Sequence, residues 1–195
     1  MTTPIAPFTD AHRQQVPVLL TLANASRPRR PVGTRVQIIT DRLGNLSEAA
    51  ALIAPLGLTQ PLHRSDLREL QALTKEVQAI AEAIVERRPI PQLHWLNKLS
   101  RGAYAIRVLI VAPDGTMNST LQWQANSAVA ELASRVVAEL SSLDPARLRQ
   151  CARKNCTLLF YDATRPGTQR WHSESPCGQR ERQDRFRANR RMHSS

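Results

Sequence analysis

The sequence predicts a mainly α-helical protein of the α+β class. Hydrophobic residues recur at helical spacing in several long stretches, and the composition combines 42% apolar residues with only 7 glycines. All three cysteines lie in the C-terminal quarter, at positions 151, 156 and 177. A chain of 195 residues accommodates one domain with a sizeable core and one small appended module. We therefore expect a helical N-terminal domain with a small β-hairpin, followed by a short cysteine-containing module.

The longest predicted helix runs from Ser65, whose hydroxyl is expected to cap the first turn, to Glu86. Its residues Leu70, Leu73 and Val77 recur at the spacing of one buried helix face. Hydrophobic spacing and Pro, Gly or Ser boundaries predict further elements. These are a short strand or helix at 18–24 and helices at 41–54, 93–101 and 127–140, the last capped by Ser127.

A β-hairpin is predicted between the last two helices. Apolar residues alternate from Tyr104 to Ala112, Pro113-Asp114-Gly115 is a turn sequence, and Leu121 and Trp123 continue the pattern in a second strand. The expected organisation is a flexible N-terminus at residues 1–15, a helical domain at 16–145 and the small module at 146–195.

The chain is strongly basic, with 27 Lys and Arg against 16 Asp and Glu, a formal charge of +11. Residues 151–195 contain 10 of these basic residues and 4 of the acidic ones, a net charge of +6. Such an excess indicates a polyanionic partner, foremost nucleic acid. No apolar stretch approaches the length of a membrane span and no secretory signal is recognisable, so we expect a cytoplasmic protein without a membrane partner.

Two ligand pairs in the module predict a zinc site. Four residues separate Cys151 from Cys156, and four separate His172 from Cys177. A structural Zn²⁺ ion takes four such ligands in a tetrahedron. Residues 158–162 and 169–171 are expected to form a hairpin that folds the pairs together, giving a zinc-bound hairpin-plus-helix module. The alternatives are three buried cysteines without metal or a redox switch, which the lack of a Cys-x-x-Cys pair disfavours.

Helix-forming residues follow Cys177 up to Met192, with arginine around most of the helix and Phe186 as an apolar anchor. We expect this helix to bind nucleic acid, with duplex DNA favoured over RNA because Trp171 and Tyr161 are the only aromatic stacking candidates. The alternatives are a solvated helix, an RNA-binding module or a protein-interaction module. The candidate nucleic-acid-binding residues are Arg170, Arg180, Arg182, Arg185, Arg187, Arg190 and Arg191.

Neither a nucleophile elbow nor a phosphate-binding loop occurs, so no enzymatic activity is expected. The N-terminal domain is larger than binding to nucleic acid alone requires. It is therefore a candidate for sensing a small-molecule effector or for mediating a homodimer.

Several motifs of the module resemble the CGNR zinc finger family. They are Arg149-Gln150-Cys151-Ala152, the segment 159–164, Arg170-Trp171 and Cys177-Gly178-Gln179-Arg180. The resemblance covers about residues 149 to 192. Members usually have Asn where this chain has Gln179 and Cys where it has His172, an exchange that preserves zinc binding. The resemblance implies a bacterial transcriptional regulator, with an N-terminal ABATE domain of a stress-induced transcription regulator at about residues 16–145.

Overall fold

The computed structural model describes residues 16–26, 42–154 and 156–192. The predicted flexible N-terminus, residues 1–15, lies outside the described residues. The architecture is α+β, as predicted, with most of the chain in helices and two small antiparallel β-ribbons. No helix in the described ranges is long and apolar enough to cross a membrane.

Five helices precede or flank the first ribbon. They are α1 (Pro17–Ala23), α2 (Leu46–Ile53), α3 (Leu67–Val85), α4 (His94–Ser100) and α5 (Ala128–Ser142). Helices α1, α3 and α5 pack against one another, and α4 lies against α5. The apolar face of α3 supplies Leu70, Leu73 and Val77 to the core, all fully buried. The helical periodicity of the sequence thus identifies the buried face correctly.

Helix caps agree with the sequence in one case and differ in another. The Ser127 hydroxyl accepts a hydrogen bond of 3.1 Å from the Ala130 N–H and caps α5, as predicted. The predicted cap at Ser65 is wrong, because α3 begins at Leu67 and the Ser65 hydroxyl donates to the carboxylate of Asp66 instead. The same carboxylate accepts the His63 N–H, so the acidic side chain organises this turn.

The first ribbon pairs β1 (Ala103–Val111) with β2 (Met117–Ala125) over nine residues each, as predicted. Its base lies against α5, where the Arg135 guanidinium stacks over the Trp123 ring at 5.1 Å. Arg135 is itself held by the buried carboxylate of Glu131, which also accepts two hydrogen bonds from Thr59. The rest of the ribbon extends away from the helices.

The second ribbon pairs β3 (Leu148–Gln150) with β4 (Leu159–Tyr161). The predicted return strand at 169–171 is wrong, because the partner of β4 precedes the cysteines rather than following the turn. Side chains from this ribbon belong to the same buried cluster as Leu19 of α1 and Leu73 of α3. Although the division of domains at residue 146 stays a prediction, this ribbon shares the main core.

An amide bridge joins the start of the chain to the second ribbon. The Asn24 side chain donates a hydrogen bond to the Leu159 carbonyl and accepts one from the Leu159 N–H, at 3.0 and 2.9 Å. A short turn (Glu174–Gly178) and the last helix, α6 (Gln179–Met192), follow the second ribbon.

Candidate metal centre

The four predicted metal ligands come together at one point. The potential ligand atoms of Cys151, Cys156, His172 and Cys177 all lie within 4.8 Å of one another. A tetrahedral site with Zn–S bonds of about 2.3 Å places its sulfur atoms about 3.8 Å apart, so this spacing fits a zinc ion. The Cys156 Sγ and the His172 Nδ1 are 3.5 Å apart, which also matches ligands of one tetrahedron.

Backbone hydrogen bonds hold the first ligand pair. Cys151 follows β3 directly, and its N–H donates to the Leu158 carbonyl at 2.9 Å. The chain turns between these residues, and the Cys156 N–H closes the turn on the Arg153 carbonyl at 3.0 Å. Both thiols are therefore placed by the ribbon, which is part of the main core.

The second pair comes from the segment after β4 and from the turn before α6. The Ala152 N–H donates to the Arg170 carbonyl at 2.8 Å, which fixes the segment next to His172 beside the first pair. Cys177 lies in the turn Glu174–Gly178, where the Gly178 N–H reaches the Ser173 carbonyl. Because α6 starts directly after this turn, Cys177 lies two residues before the first residue of the helix.

The cysteines of the cluster are buried, and their thiols shift one another's pKa values. All three cysteines are buried and pack with Leu158 and Trp171 in a small cluster of their own. A hydrogen bond from the Cys156 thiol lowers the pKa of Cys151 to about 3, and the same bond raises the pKa of Cys156. Burial and the Cys151 thiolate raise the pKa of Cys177. Ionisation of all three thiols would place like charges beside one another, so it requires a cation between them, and a divalent metal ion supplies that charge.

A network that sequence reasoning missed supports the second pair. The fully buried carboxylate of Asp162 accepts the Gln169 N–H at 2.8 Å and both the N–H and the hydroxyl of Thr164. Arg147 and Arg149 donate to carbonyl groups of the same 162–169 loop. These two arginines therefore act within the fold. One indication of this network was present in the sequence, because Arg149 and Asp162 both lie in motifs that resemble the zinc finger family.

Helix α6 presents most of the predicted nucleic-acid-binding residues on an exposed surface. It packs mainly against the turn Glu174–Gly178, and residues 182–187 are all exposed. Phe186 is 64% exposed, so the prediction that it anchors the helix is wrong. The Arg190 guanidinium lies over its ring at 5.9 Å. The side chain of Arg191 lies outside the described part of the chain.

Several of the arginines have partners. Arg182 pairs with Glu174, and Arg185 pairs with Glu181 at 3.4 Å. The exposed Arg170 stacks over the half-buried ring of Trp171 at 5.5 Å. Among the described residues, Arg187 forms no ion pair and points from an exposed position. On α6, Arg182 and Arg185 are thus paired with carboxylates, whereas Arg187 forms no ion pair among the described residues.

A cavity of about 710 Å³ adjoins the cluster. Its described lining combines apolar residues of α1 and α2 with Cys156, His172 and Cys177 on one side. Three arginines, Arg42, Arg153 and Arg180, also border the space. Arg180 therefore faces this cavity at the base of α6, apart from the exposed side chains further along the helix.

Comparisons with known proteins bear on the C-terminal part of the chain. No curated protein matches the chain. Residues 147–190 match the family model of the CGNR zinc finger, and this segment contains all four cluster residues, both ribbon strands β3 and β4, and most of α6. The match and the Cys₃His cluster together indicate a zinc-binding module, whereas the predicted ABATE domain stays a prediction.

Proposed function

We propose that Cys151, Cys156, His172 and Cys177 hold a structural zinc ion, and that the module so formed presents α6 to duplex DNA in a transcriptional regulator. The observation that carries the proposal is a largely exposed basic helix that follows directly on the turn Glu174–Gly178, which supplies Cys177 to the Cys₃His cluster. Bound zinc would supply a fixed tetrahedral cross-link between the two ligand pairs. Four protein ligands close the coordination sphere, which favours a structural over a catalytic site.

The charge of α6 supports a polyanionic partner. The helix contains six arginines and two acidic residues, a net charge of +4 over residues 179–192. Because residues 182–187 are exposed, packing against the rest of the chain stabilises this helix little. Phosphate groups supply the missing countercharge, and arginine binds them through two parallel hydrogen bonds.

The ion pairs of the module are compatible with exchange for phosphate. Arg182 and Glu174 are both more than half exposed, as is the Arg185 side chain. Exposed ion pairs contribute little to stability, so replacing the carboxylate with a phosphate group costs little. Arg153, by contrast, is mostly buried and reaches Asp184 at 3.6 Å, which ties the helix back to the cluster.

The aromatic side chains favour duplex DNA over single-stranded RNA. Tyr161 is buried in the main core, and Trp171 is half-buried beside the cysteines under Arg170. Neither ring is presented as a platform for an unstacked base, which is what sequence-specific binding of single-stranded RNA usually requires. Phe186 is exposed, but a single ring does not make a stacking track.

Zinc binding is tested by native mass spectrometry of the purified protein. We expect one zinc ion per chain, lost in Cys177→Ser and in His172→Ala. The matched control is His172→Cys, which restores the ligand set usual in the family and is expected to keep the metal. Wild-type protein that takes up no zinc, or a His172→Ala variant with full occupancy, contradicts the site.

DNA binding is tested by fluorescence anisotropy with a duplex of about 25 base pairs over a range of salt concentrations. Each phosphate contact contributes about −0.9 to the slope of log K against log salt, so Arg185→Ala/Arg187→Ala should make the slope less negative by about 1.8. The control is Arg64→Ala/Arg68→Ala, which removes the same charge from exposed positions near the start of α3. An equal change in both variants would mean that net charge alone, and not α6, attracts DNA. Tighter binding to an acidic peptide or to single-stranded RNA would favour the alternative partners.

The cavity beside the cluster supports a regulatory role for the helical region. Its arginines and apolar walls suit a small acidic effector with an apolar body, and Arg180 links the space to the first turn of α6. Thermal unfolding of the zinc-loaded protein with a panel of aliphatic and aromatic carboxylates tests this. A shift that Arg153→Gln abolishes supports an effector site, and the absence of any shift argues against one.

A further inference from the structure

The β1–β2 ribbon carries most of the exposed apolar surface. Among the described residues, seven of the nine exposed large hydrophobic side chains lie on it, with between 45% and 73% of each accessible to solvent. They are Tyr104, Ile106, Leu109, Ile110, Val111, Met117 and Leu121. An exposed apolar surface of this size on a water-soluble domain usually marks an interaction site.

The ribbon is also incomplete as a sheet. β1 and β2 pair only with each other, so in the described part of the chain both outer edges have unpaired backbone groups. A two-stranded ribbon is marginally stable in water unless further strands or a helix cover it. Contact with α5 covers only the base, where Trp123 meets Arg135. The register thus leaves a long edge open for another strand.

The two edges differ in chemistry. On one face, the β1 residues Tyr104, Ile106, Val108 and Ile110 stand directly opposite the β2 residues Gln124, Gln122, Thr120 and Asn118. The row along β1 is therefore apolar and the row along β2 is polar. On the other face, β1 carries Ala105, Leu109 and Val111 and a single charge at Arg107, and β2 carries Met117, Leu121 and Trp123. β1 is therefore mainly apolar on both faces, whereas β2 is apolar on one face only. The β1 edge has the character of an inner strand and the β2 edge that of an outer strand.

Charge favours a second copy of this chain as the occupant. The whole chain carries +11, whereas residues 103–125 contain one basic and one acidic residue, Arg107 and Asp114, and are neutral. Two strongly basic chains repel each other over most of their surfaces, so they approach most closely through a neutral, apolar one. A partner that binds through a charged surface would find only Arg107 and Asp114 as countercharges on this ribbon.

We propose that β1 pairs antiparallel with β1 of a second copy, which forms a four-stranded sheet with β1 strands at the centre and β2 strands outside. A two-fold axis at Arg107 would place two guanidinium groups opposite each other, which is unfavourable. An axis at Val108 instead places Ile106 opposite Ile110 of the second copy and Arg107 opposite its Leu109. We place the axis at Val108, beside the middle of β1, in a self-complementary contact of the kind that closed dimers use.

The available area agrees with a dimer. A standard interface buries roughly 800 Å² on each partner. Five of the exposed large side chains lie on β1, and together with the open strand edge they supply most of this area, whereas Met117 and Leu121 lie on the outer strand. This interface lies on the first ribbon, away from the Cys₃His cluster, so the inference does not depend on the proposed function.

Analytical ultracentrifugation of the full chain, freed of nucleic acid, tests the interface. A salt concentration of about 0.5 M screens the repulsion between the two basic chains. We expect the sedimenting species of the wild type to have twice the 21.8 kDa mass of one chain. Val108→Lys and Val108→Glu should each be monomeric, because each places like charges opposite each other at the axis. A 1:1 mixture of the two variants should form a dimer again, because Lys then faces Glu.

Thr120→Lys is the matched control, because Thr120 is the direct cross-strand partner of Val108 on the same face but lies on the outer strand. It should remain dimeric. A wild type that stays monomeric at about 100 μM would refute the proposal. So would a Val108→Lys dimer, an equal loss of dimer in Thr120→Lys, or a mixture of the two Val108 variants that stays monomeric. The last result would mean that charge at this position disturbs the ribbon itself instead of opposing a second copy.

Discussion

Replacing Asp162 with Asn should destabilise the zinc module far more than its size suggests. The Asp162 carboxylate is fully buried, accepts three hydrogen bonds from Thr164 and Gln169, and lies 3.5 Å from the Arg149 guanidinium. Burial opposes ionisation, but these hydrogen bonds outweigh it and hold the pKa of Asp162 below its usual value. The native loop therefore depends on a charged acceptor.

The loss of stability in Asp162→Asn follows from the hydrogen bonds that an Asn side chain cannot accept. One oxygen remains to accept from Thr164, but the new amide N–H group faces the Gln169 N–H, so a donor meets a donor. One charge-assisted hydrogen bond is worth about 1.5–3 kcal/mol, and the loss leaves a buried donor unpaired. The pairing with Arg149 is weakened as well. We expect the free energy of unfolding to fall by about 3 kcal/mol, and by about 3–5 kcal/mol for Asp162→Ala.

Urea unfolding of the zinc-loaded protein, followed by tryptophan fluorescence, measures the change. A chelator competition should show faster zinc release, because the 162–169 loop leads directly to His172. Asp114→Asn is a close control, since Asp114 accepts from the N–H and hydroxyl of Thr116 at 3.0 and 2.6 Å, as Asp162 does from Thr164. Asp114 lies in an exposed turn. An equal loss of stability in both variants would refute the argument from burial.

Three further changes test other parts of the structure. Burial raises the pKa of Glu139 to about 7, so the folded protein holds a proton that the unfolded chain releases above about pH 4.5. The free energy of unfolding should fall by about 2–3 kcal/mol as the pH rises through this window, and Glu139→Gln should remove that fall in paired urea titrations at pH 5 and 8. Asn24→Ala should cost about 2 kcal/mol in urea unfolding, because both backbone groups of Leu159 lose their partner, whereas an isoenergetic variant would contradict the bridge. Phe186→Ala should change stability by less than about 0.5 kcal/mol, and a larger loss would mean that the ring is an anchor after all.

Local sequence patterns predicted helices well where residues close in sequence determine the buried face or the cap. The apolar spacing of Leu70, Leu73 and Val77 marks the buried face of α3, and Ser127 caps α5 as its position suggests. The cap at Ser65 failed because the neighbouring Asp66 is the stronger acceptor for the same turn. Competition between adjacent polar residues is a local effect, but its outcome depends on the path of the chain before the helix.

Long-range pairing was harder to predict. The strand at β4 was expected, but its partner was sought after the turn and lies instead at β3, before the cysteines. Short strands carry little information about their partners, because apolar alternation over three residues fits several pairings. Phe186 was expected to be an anchor because it is the aromatic residue on α6, yet its ring is mostly exposed and lies under the Arg190 guanidinium of the same helix.

The sequence by itself predicted which residues form the Cys₃His cluster, because the spacing of Cys151, Cys156, His172 and Cys177 and the residue types are local properties of the chain. It also determined where the positive charge accumulates. Only the tertiary structure decided which arginines serve the fold, as Arg147 and Arg149 do by holding the 162–169 loop, and which remain on the surface of α6. The physical reason is that an arginine is structural or available according to the carbonyl groups and carboxylates that folding brings within its reach, and those partners are distant in sequence.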